Sequence, residues 1–349
     1  MPDHGTDDVR FERRGRIGLA ALSRPKALNS LTLDMCAALD ARLARWADDP
    51  GVRAVVLRGE GGRAFCAGGD IRWLRGAAKR DPAAAADFFR TEYRLNTRLQ
   101  EYAKPVIALM DGVTMGGGVG ISAPARYRVA TERTLWAMPE CGIGLIPDVG
   151  ASWHLNQLVP GVGLWLGLTG ERLDGAGALG LGIATHLVPS DALDDLTEAL
   201  VAAKLDGDAD AAIRDALAAA GTSEGTPPDV PDAFAQADGL EALMEALERS
   251  EAGSAALRAI LGGSPTSAAL THRLLTEAPA GFRDAIAREF RVAAHLIEGP
   301  DFHEGVRAQV IDKDRQPRWS PDGLDDVTDA MLDRYFEAPE GGDLDLGGV

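Results

Sequence analysis

The sequence predicts an α/β protein with a parallel sheet at its core and a helical C-terminal region. Three observations predict it. Short apolar runs alternate with amphipathic stretches of helical period, the order from which parallel sheets are built. Two glycine-rich turns, Ala64-Phe-Cys-Ala-Gly-Gly-Asp-Ile71 and Thr114-Met-Gly-Gly-Gly118, each follow such a run. Beyond the Pro- and Gly-rich polar stretch 221–232, the pattern is helical to about Ile297.

In chain order, Arg16-Ile-Gly-Leu-Ala-Ala-Leu22 suits a strand, and Ser23-Arg-Pro-Lys-Ala-Leu-Asn29 a loop. Leu33, Cys36, Leu39, Leu43 and Trp46 recur at three or four, so Thr32 to Ala47 reads as a helix. A buried strand follows at Val52 to Leu57. Helix is expected from Ile71 to about Leu99, restarted at Pro82. Its residues Phe88, Phe89, Leu95 and Leu99 are candidates for the core, whereas periodicity does not fix where Glu92 points.

Lys104-Pro105 opens the strand Val106 to Met110; a short helix from Gly117 to Ala125 and strands at Tyr127–Ala130 and Thr134–Ala137 come next. Trp153 to Leu168 is mostly helical, Asp174 to Leu181 a short helix, Ile183 to Val188 a strand, and Asp191 to Lys204 a helix with Leu193, Leu196 and Leu200 on one face. Residues 1–204 therefore form the core with the chemistry, and 205–349 a helical region with an exposed linker near 221–232. No internal repeat is visible.

Composition narrows the function. The 349 residues are 46% hydrophobic and 26% charged, as in ordinary globular proteins. A net charge of −17 argues against nucleic acid, because a phosphate backbone would be repelled. Cys36, Cys66 and Cys141 are odd in number and far apart, which points to free thiols in a reducing compartment. Cys66 and Cys141 flank the glycine turns, but no histidine lies near them in sequence to activate a nucleophile, and apolar filler is the better reading. No signal-like apolar segment stands at the N-terminus and no run reaches membrane-spanning length, so a cytoplasmic protein without a membrane partner is expected.

The chemistry is expected around Gly116, Gly117 and Gly118, which have no Cβ and so let a ligand carbonyl approach bare N–H groups. Glu140, after Pro139, and Asp148, after Pro147, are the carboxylates nearest to them downstream.

Several motifs in fixed order carry a family resemblance. Arg24-Pro-Lys-Ala-Leu-Asn29, Ala64-Phe-Cys-Ala-Gly-Gly-Asp70, Lys104-Pro105, Asp111-Gly112, Gly116-Gly-Gly118 and Met138-Pro-Glu140 resemble the crotonase (enoyl-CoA hydratase/isomerase) superfamily over roughly Arg16 to Pro189. Phe89-Arg-Thr-Glu-Tyr93, Gly144-Leu-Ile-Pro-Asp-Val-Gly150, Gly182-Ile-Ala-Thr-His186 and Asp301-Phe-His-Glu-Gly-Val-Arg-Ala308 bring it closer to the branch that hydrolyses 3-hydroxyisobutyryl-CoA. Ile311-Asp-Lys313 and Pro317-Arg-Trp319 extend that likeness toward the C-terminus.

The resemblance implies a crotonase-like (ClpP/crotonase) spiral of ββα units, an acyl-CoA thioester as ligand, and an oxyanion hole from the N–H groups of Gly69 and Gly117. It implies substrate contacts from Glu92, from Arg24, Lys26, Ala27 and Leu28, and from Ala67, Asp70 and Ile71 around the first glycine turn; Asp70 also suits a helix N-cap. Lys313 is implied near a CoA phosphate. No metal or redox cofactor is implied, and His303 and Glu304 lack a second histidine at ligand spacing. His186 reads as a core histidine. Trimers are frequent in the superfamily, which makes self-association an expectation; the helical C-terminal part folding over its own subunit is the alternative.

One donor pair serves hydration, isomerisation and hydrolysis alike, so the acids must discriminate. Hydratases of the superfamily carry a first glutamate where this chain has Gly120. Glu140 with Asp148 is instead the hydrolase pattern. Glu140 would act on the thioester carbonyl as general base through water or as nucleophile, which the sequence leaves open; Asp148 would position that water or bind the substrate's 3-hydroxyl. The expected reaction is release of 3-hydroxyisobutyrate and CoA, in valine breakdown. The alternatives are an enoyl-CoA hydratase or isomerase and a non-catalytic acyl-CoA-binding protein.

Overall fold

The structure, a computed structural model, describes residues 6–349. Strands β1 (Val9–Arg14) and β2 (Ile17–Leu22) form an antiparallel hairpin whose turn places Gly15 at φ +58°. No strand is expected before Arg16, yet Val9 and Phe11 turn inward between exposed Arg10 and Glu12, the two-residue period of a half-buried edge. Helix α1 (Leu33–Asp48) begins at Thr32, whose side chain accepts from the Met35 N–H, and buries Met35, Cys36, Leu39, Leu43 and Trp46 as the periodicity requires.

Three strand pairs then follow one another. β3 (Ala54–Gly59) and β4 (Ala64–Cys66) lead into α2 (Ile71–Ala78) and α3 (Pro82–Gln100). β5 (Val106–Met110) and β6 (Val113–Met115) lead into α4 (Gly117–Ser122). β7 (Tyr127–Ala130) and β8 (Leu135–Ala137) lead into α5 (Ala151–His154), α6 (Val162–Thr169) and α7 (Gly175–Gly180). The first strand of each pair joins a six-stranded sheet of order β1-β2-β3-β5-β7-β9, with β9 at His186–Leu187, parallel from β2 onward, and the second joins a small parallel sheet of order β4-β6-β8. Repeating strand, strand, helix in this way brings the ends of β4 and β6, and hence both glycine turns, side by side.

Strand β9 covers only His186–Leu187, shorter than the apolar run suggested: only these two residues pair in register with β7, and the Thr185 and Val188 N–H groups at its ends donate to the Arg128 and Ala130 carbonyls. α8 (Leu193–Ala202) and α9 (Ala209–Ala220) cover the outer face of the large sheet, where Leu196, Leu200, Ile213 and Leu217 meet Val56, Ile107 and Val129. Burial of each such aliphatic side chain contributes about 1.5–3 kcal/mol. Stretch 221–232 is largely exposed, but Thr222 and Leu187 exchange backbone hydrogen bonds at 2.8 and 2.9 Å, so it is stitched to the sheet at its start.

Seven more helices follow: α10 (Ala233–Gln236), α11 (Leu240–Glu248), α12 (Ser254–Gly262), α13 (Pro265–Thr276), α14 (Phe282–Leu296), α15 (Pro300–Val306) and α16 (Asp329–Tyr335). Their apolar faces share one core with α1, α3, β4 and β5. Among the described residues no helix is long and apolar enough to cross a membrane.

Candidate active site

A cleft of about 630 Å³ opens between the glycine turns, α3, the segment 139–148 and the C-terminal helices. Ala67, Gly69, Ile71, Glu92, Gly117, Glu140 and Asp148 all line it, although they come from widely separated parts of the chain. Gly69 stands between Gly68, at φ +103°, and Asp70, whose side chain accepts from the Trp73 N–H and caps α2. Gly117 begins α4, so its N–H has no acceptor within the helix. A methyl group on Gly117 would lie 2.3 Å from Glu92 Oε1; only a glycine lets the carboxyl come this close.

Three carboxyls converge on these glycines. Glu92, 2% exposed, points inward from α3 toward Gly117, which settles the orientation that periodicity left free. Glu140, 7% exposed, opens a 3₁₀ turn just after β8, and its Oε1 would lie 3.0 Å from a Cβ on Gly116. Asp148, 8% exposed, accepts a hydrogen bond from the Tyr93 hydroxyl at 2.5 Å. Glu92 Oε1 and Glu140 Oε2 are buried and have no hydrogen-bond partner among the described residues, as expected of acceptors kept for a bound molecule or water.

Burial dominates the electrostatics. It pushes Glu140 and Glu92 well above the usual carboxylate range, and repulsion from Asp148 adds to the shift of both. Burial also lifts Asp148, to about 6, while the Tyr93 hydroxyl pulls against it. Acids whose pKa is raised in this way, beside unpartnered oxygens, are suited to taking and returning protons.

The segment carrying Glu140 is framed by the C-terminal helices. The Ser264 N–H donates to the Cys141 carbonyl at 3.0 Å, and Gly144 abuts the backbone of Asp301 so closely that a Cβ would lie 2.3 Å from it. Asp301 in turn accepts from Ser264 Oγ at 2.5 Å and from the Ser320 N–H at 2.7 Å. Cys141 and Cys66 are buried thiols whose pKa burial raises to about 12, which suits filler and not nucleophiles.

The loop 24–29 sits behind the first glycine turn, where the Leu28 carbonyl accepts from the Ala67 N–H at 3.0 Å. Arg24 is engaged by Asp70 at 3.1 Å and Asp8 at 3.4 Å, whereas Lys26 is exposed with Ala27 and Leu28 beside it partly so. Glu304 is held by Arg307 through two bonds of 2.8 and 2.9 Å. His186 is partly buried and bonded to Thr185.

Gly120 faces away from the cleft. A Cβ there would lie 2.6 Å from Val149 Cβ and 2.9 Å from Asn96 Nδ2, so the helix position that bears an acid in hydratases has no space for one here. Tyr93 and Glu289 are residues the sequence reading did not single out for a role. Their signals were a tyrosine next to Glu92 and a carboxylate on the apolar face of α14, between Ile286 and Phe290.

A family model described as enoyl-CoA hydratase/isomerase matches residues 17–336. The chain is 41% identical to the 3-hydroxyisobutyryl-CoA hydrolase, mitochondrial, of Xenopus tropicalis, over 99% of this chain and 93% of that protein. It is also 41% identical to the protein of the same name from Rattus norvegicus, over 97% of this chain and 91% of that protein. Among solved structures, a carnitinyl-CoA dehydratase from Mycobacterium thermoresistibile matches with a TM-score of 0.89 and 37% identity, covering 99% of this chain and all (100%) of that one. An enoyl-CoA hydratase from Rhodobacter sphaeroides matches with a TM-score of 0.86, also at 37% identity, covering 97% and 100%.

Proposed function

The chain belongs to the enoyl-CoA hydratase/isomerase family and has the crotonase fold, and within that family we propose that it hydrolyses a short branched 3-hydroxyacyl-CoA thioester, 3-hydroxyisobutyryl-CoA, as a step of valine breakdown. The observation that carries this reading is the acid pattern: Glu140 and Asp148 converge in the cleft, while Gly120 neither is an acid nor has space for one. The 41% identity to hydrolases over nearly the full chain supports it.

The N–H groups of Gly69 and Gly117 hold the thioester oxygen as negative charge builds on it. Glu140, with Oε2 unpartnered, removes a proton from water as the water oxygen attacks the carbonyl carbon. The tetrahedral intermediate collapses with cleavage of the C–S bond, and the proton on Glu140 passes to the departing CoA sulfur. Asp148, fixed by Tyr93, orients the water or the substrate 3-hydroxyl. Direct attack by Glu140, giving an acyl anhydride, uses the same groups; a single turnover in ¹⁸O-water separates the two, because only the anhydride route can leave label in Glu140.

The test is free-thiol release from 3-hydroxyisobutyryl-CoA beside hydration of crotonyl-CoA by the same protein. Thiol release with little hydration is expected. Hydration without thiol release returns the assignment to the hydratases, and neither activity to a binding protein. We further propose a cytoplasmic location, from three unpaired buried cysteines. Fractionation with mitochondria, the compartment in the relatives' names, overturns that placement.

A further inference from the structure

Asp148 is followed by two residues in the left-handed region, Val149 at φ +57° and Gly150 at φ +90°. A β-branched residue is strained in that conformation, so the surrounding structure must impose the turn. Glu289 on α14, 0% exposed, does so with both oxygens. Oε2 accepts from the Gly150 N–H at 2.6 Å, and Oε1 accepts from the Ser152 N–H at 2.7 Å and the Ser152 hydroxyl at 2.6 Å. The next residue, Phe290, meets the Tyr93 ring edge-on, with centroids 6.3 Å apart and planes at 84°. Tyr93 is the donor to Asp148. Consecutive residues of one helix thus hold the backbone that carries Asp148 and the side chain that bonds its carboxyl.

Stability alone does not call for an acid at this position. Among the described residues Glu289 has three donors and no cationic partner, and burial raises its pKa to about 8 against those donors, so ionising it costs stability that a neutral acceptor would not. What the carboxylate adds is a defined geometry for residues 148–152.

We propose that Glu289 is a positioning residue for the hydrolysis, acting through Asp148 by clamping the Val149-Gly150 turn. The inference rests on the role given to Asp148 above.

The test is thiol release from 3-hydroxyisobutyryl-CoA by Glu289→Gln, Asp148→Asn and the double variant, with near-ultraviolet circular dichroism and thermal unfolding of each. The amide retains the shape but presents an NH₂ group to one of the donors. The expected result is a fall in kcat of about 10- to 100-fold, the scale of a misplaced catalytic group, with KM within about twofold. In the Asp148→Asn background the same change is expected to cost less than about twofold, since no carboxylate remains to be positioned. An equal fold-loss in both backgrounds, or an unchanged kcat in Glu289→Gln, overturns the proposal. Full activity of Asp148→Asn overturns the role of Asp148 itself and is recognised separately from the Glu289 result. If Glu289→Gln does not fold, Ser152→Ala removes one donor alone, and its smaller kcat loss is expected to vanish in the same background; a loss that persists there counts against the clamp.

Discussion

The Tyr93 hydroxyl and the Asp148 carboxylate meet at 2.5 Å inside the protein, with Tyr93 fully buried and Asp148 nearly so. This bond favours the ionised form of an acid that burial otherwise drives toward neutrality, and it sets which oxygen of Asp148 faces the cleft.

Tyr93→Phe removes the donor and leaves the ring. Asp148 loses the bond that holds its pKa down, so its pKa rises further above about 6. Because the reaction uses ionised acids, the acid limb of the kcat/KM profile is expected to move to higher pH, and the plateau to fall by about 10- to 100-fold. A profile of thiol release from pH 5 to 9 checks this. An unmoved acid limb means that the limb reports other groups.

Stability should run against activity along the pH axis. Glu289, at about 8, Asp148, at about 6, and the raised Glu92 and Glu140 all bind protons more tightly folded than unfolded, where their values lie near 4 to 4.5. The native state therefore carries extra protons between those limits, and by linkage stability is greatest below the unfolded values and is lost as pH rises through the folded ones. Burial lowers the pKa of His154, His186, His272 and His303, which pulls the other way below about pH 6.5, so Tm should fall between about pH 6.5 and pH 8. Glu140→Gln is expected to lose about 10²- to 10⁴-fold in kcat while its Tm at pH 8 exceeds that of the parent, because a neutral amide avoids the cost of a buried charge. Calorimetry across this range tests both, and a Tm that rises toward pH 8 contradicts them.

Gly120→Glu tests whether restoring the missing acid restores hydration. With Val149 and Asn96 within 3 Å of the new Cβ, overpacking is expected to cost at least about 1–3 kcal/mol, lowering Tm without any gain in crotonyl-CoA hydration. Measured hydration by a stably folded variant would contradict this steric account.

Much of this was readable in the residues. Alternating runs and glycine turns announced the parallel core, and the family resemblance, through Glu140, Asp148 and Gly120, implied the choice among reactions. The orientation of Glu92 was not readable, because a helix with both a solvated and a packed side leaves a lone acid ambiguous until the partner face is known; here it is the glycine of α4. β1 escaped because its polar residues outnumber Val9 and Phe11, and an edge strand needs only one apolar face. Glu289 escaped for a different reason. Its partners lie 137 and 139 residues away, and no local pattern encodes a contact at that separation.

The embrace of the Cys141–Gly144 segment by Ser264 and Asp301 has a consequence for how damage to this protein is recognised. A chain cut or prematurely stopped near residue 204 would still contain Gly69, Glu92, Gly117, Glu140 and Asp148. A search for the glycine turns and the acids alone would score it intact. Yet the walls that hold the two acids in register would be missing, so loss of the last two-fifths of the chain is a loss of function that leaves every one of those cleft residues in place.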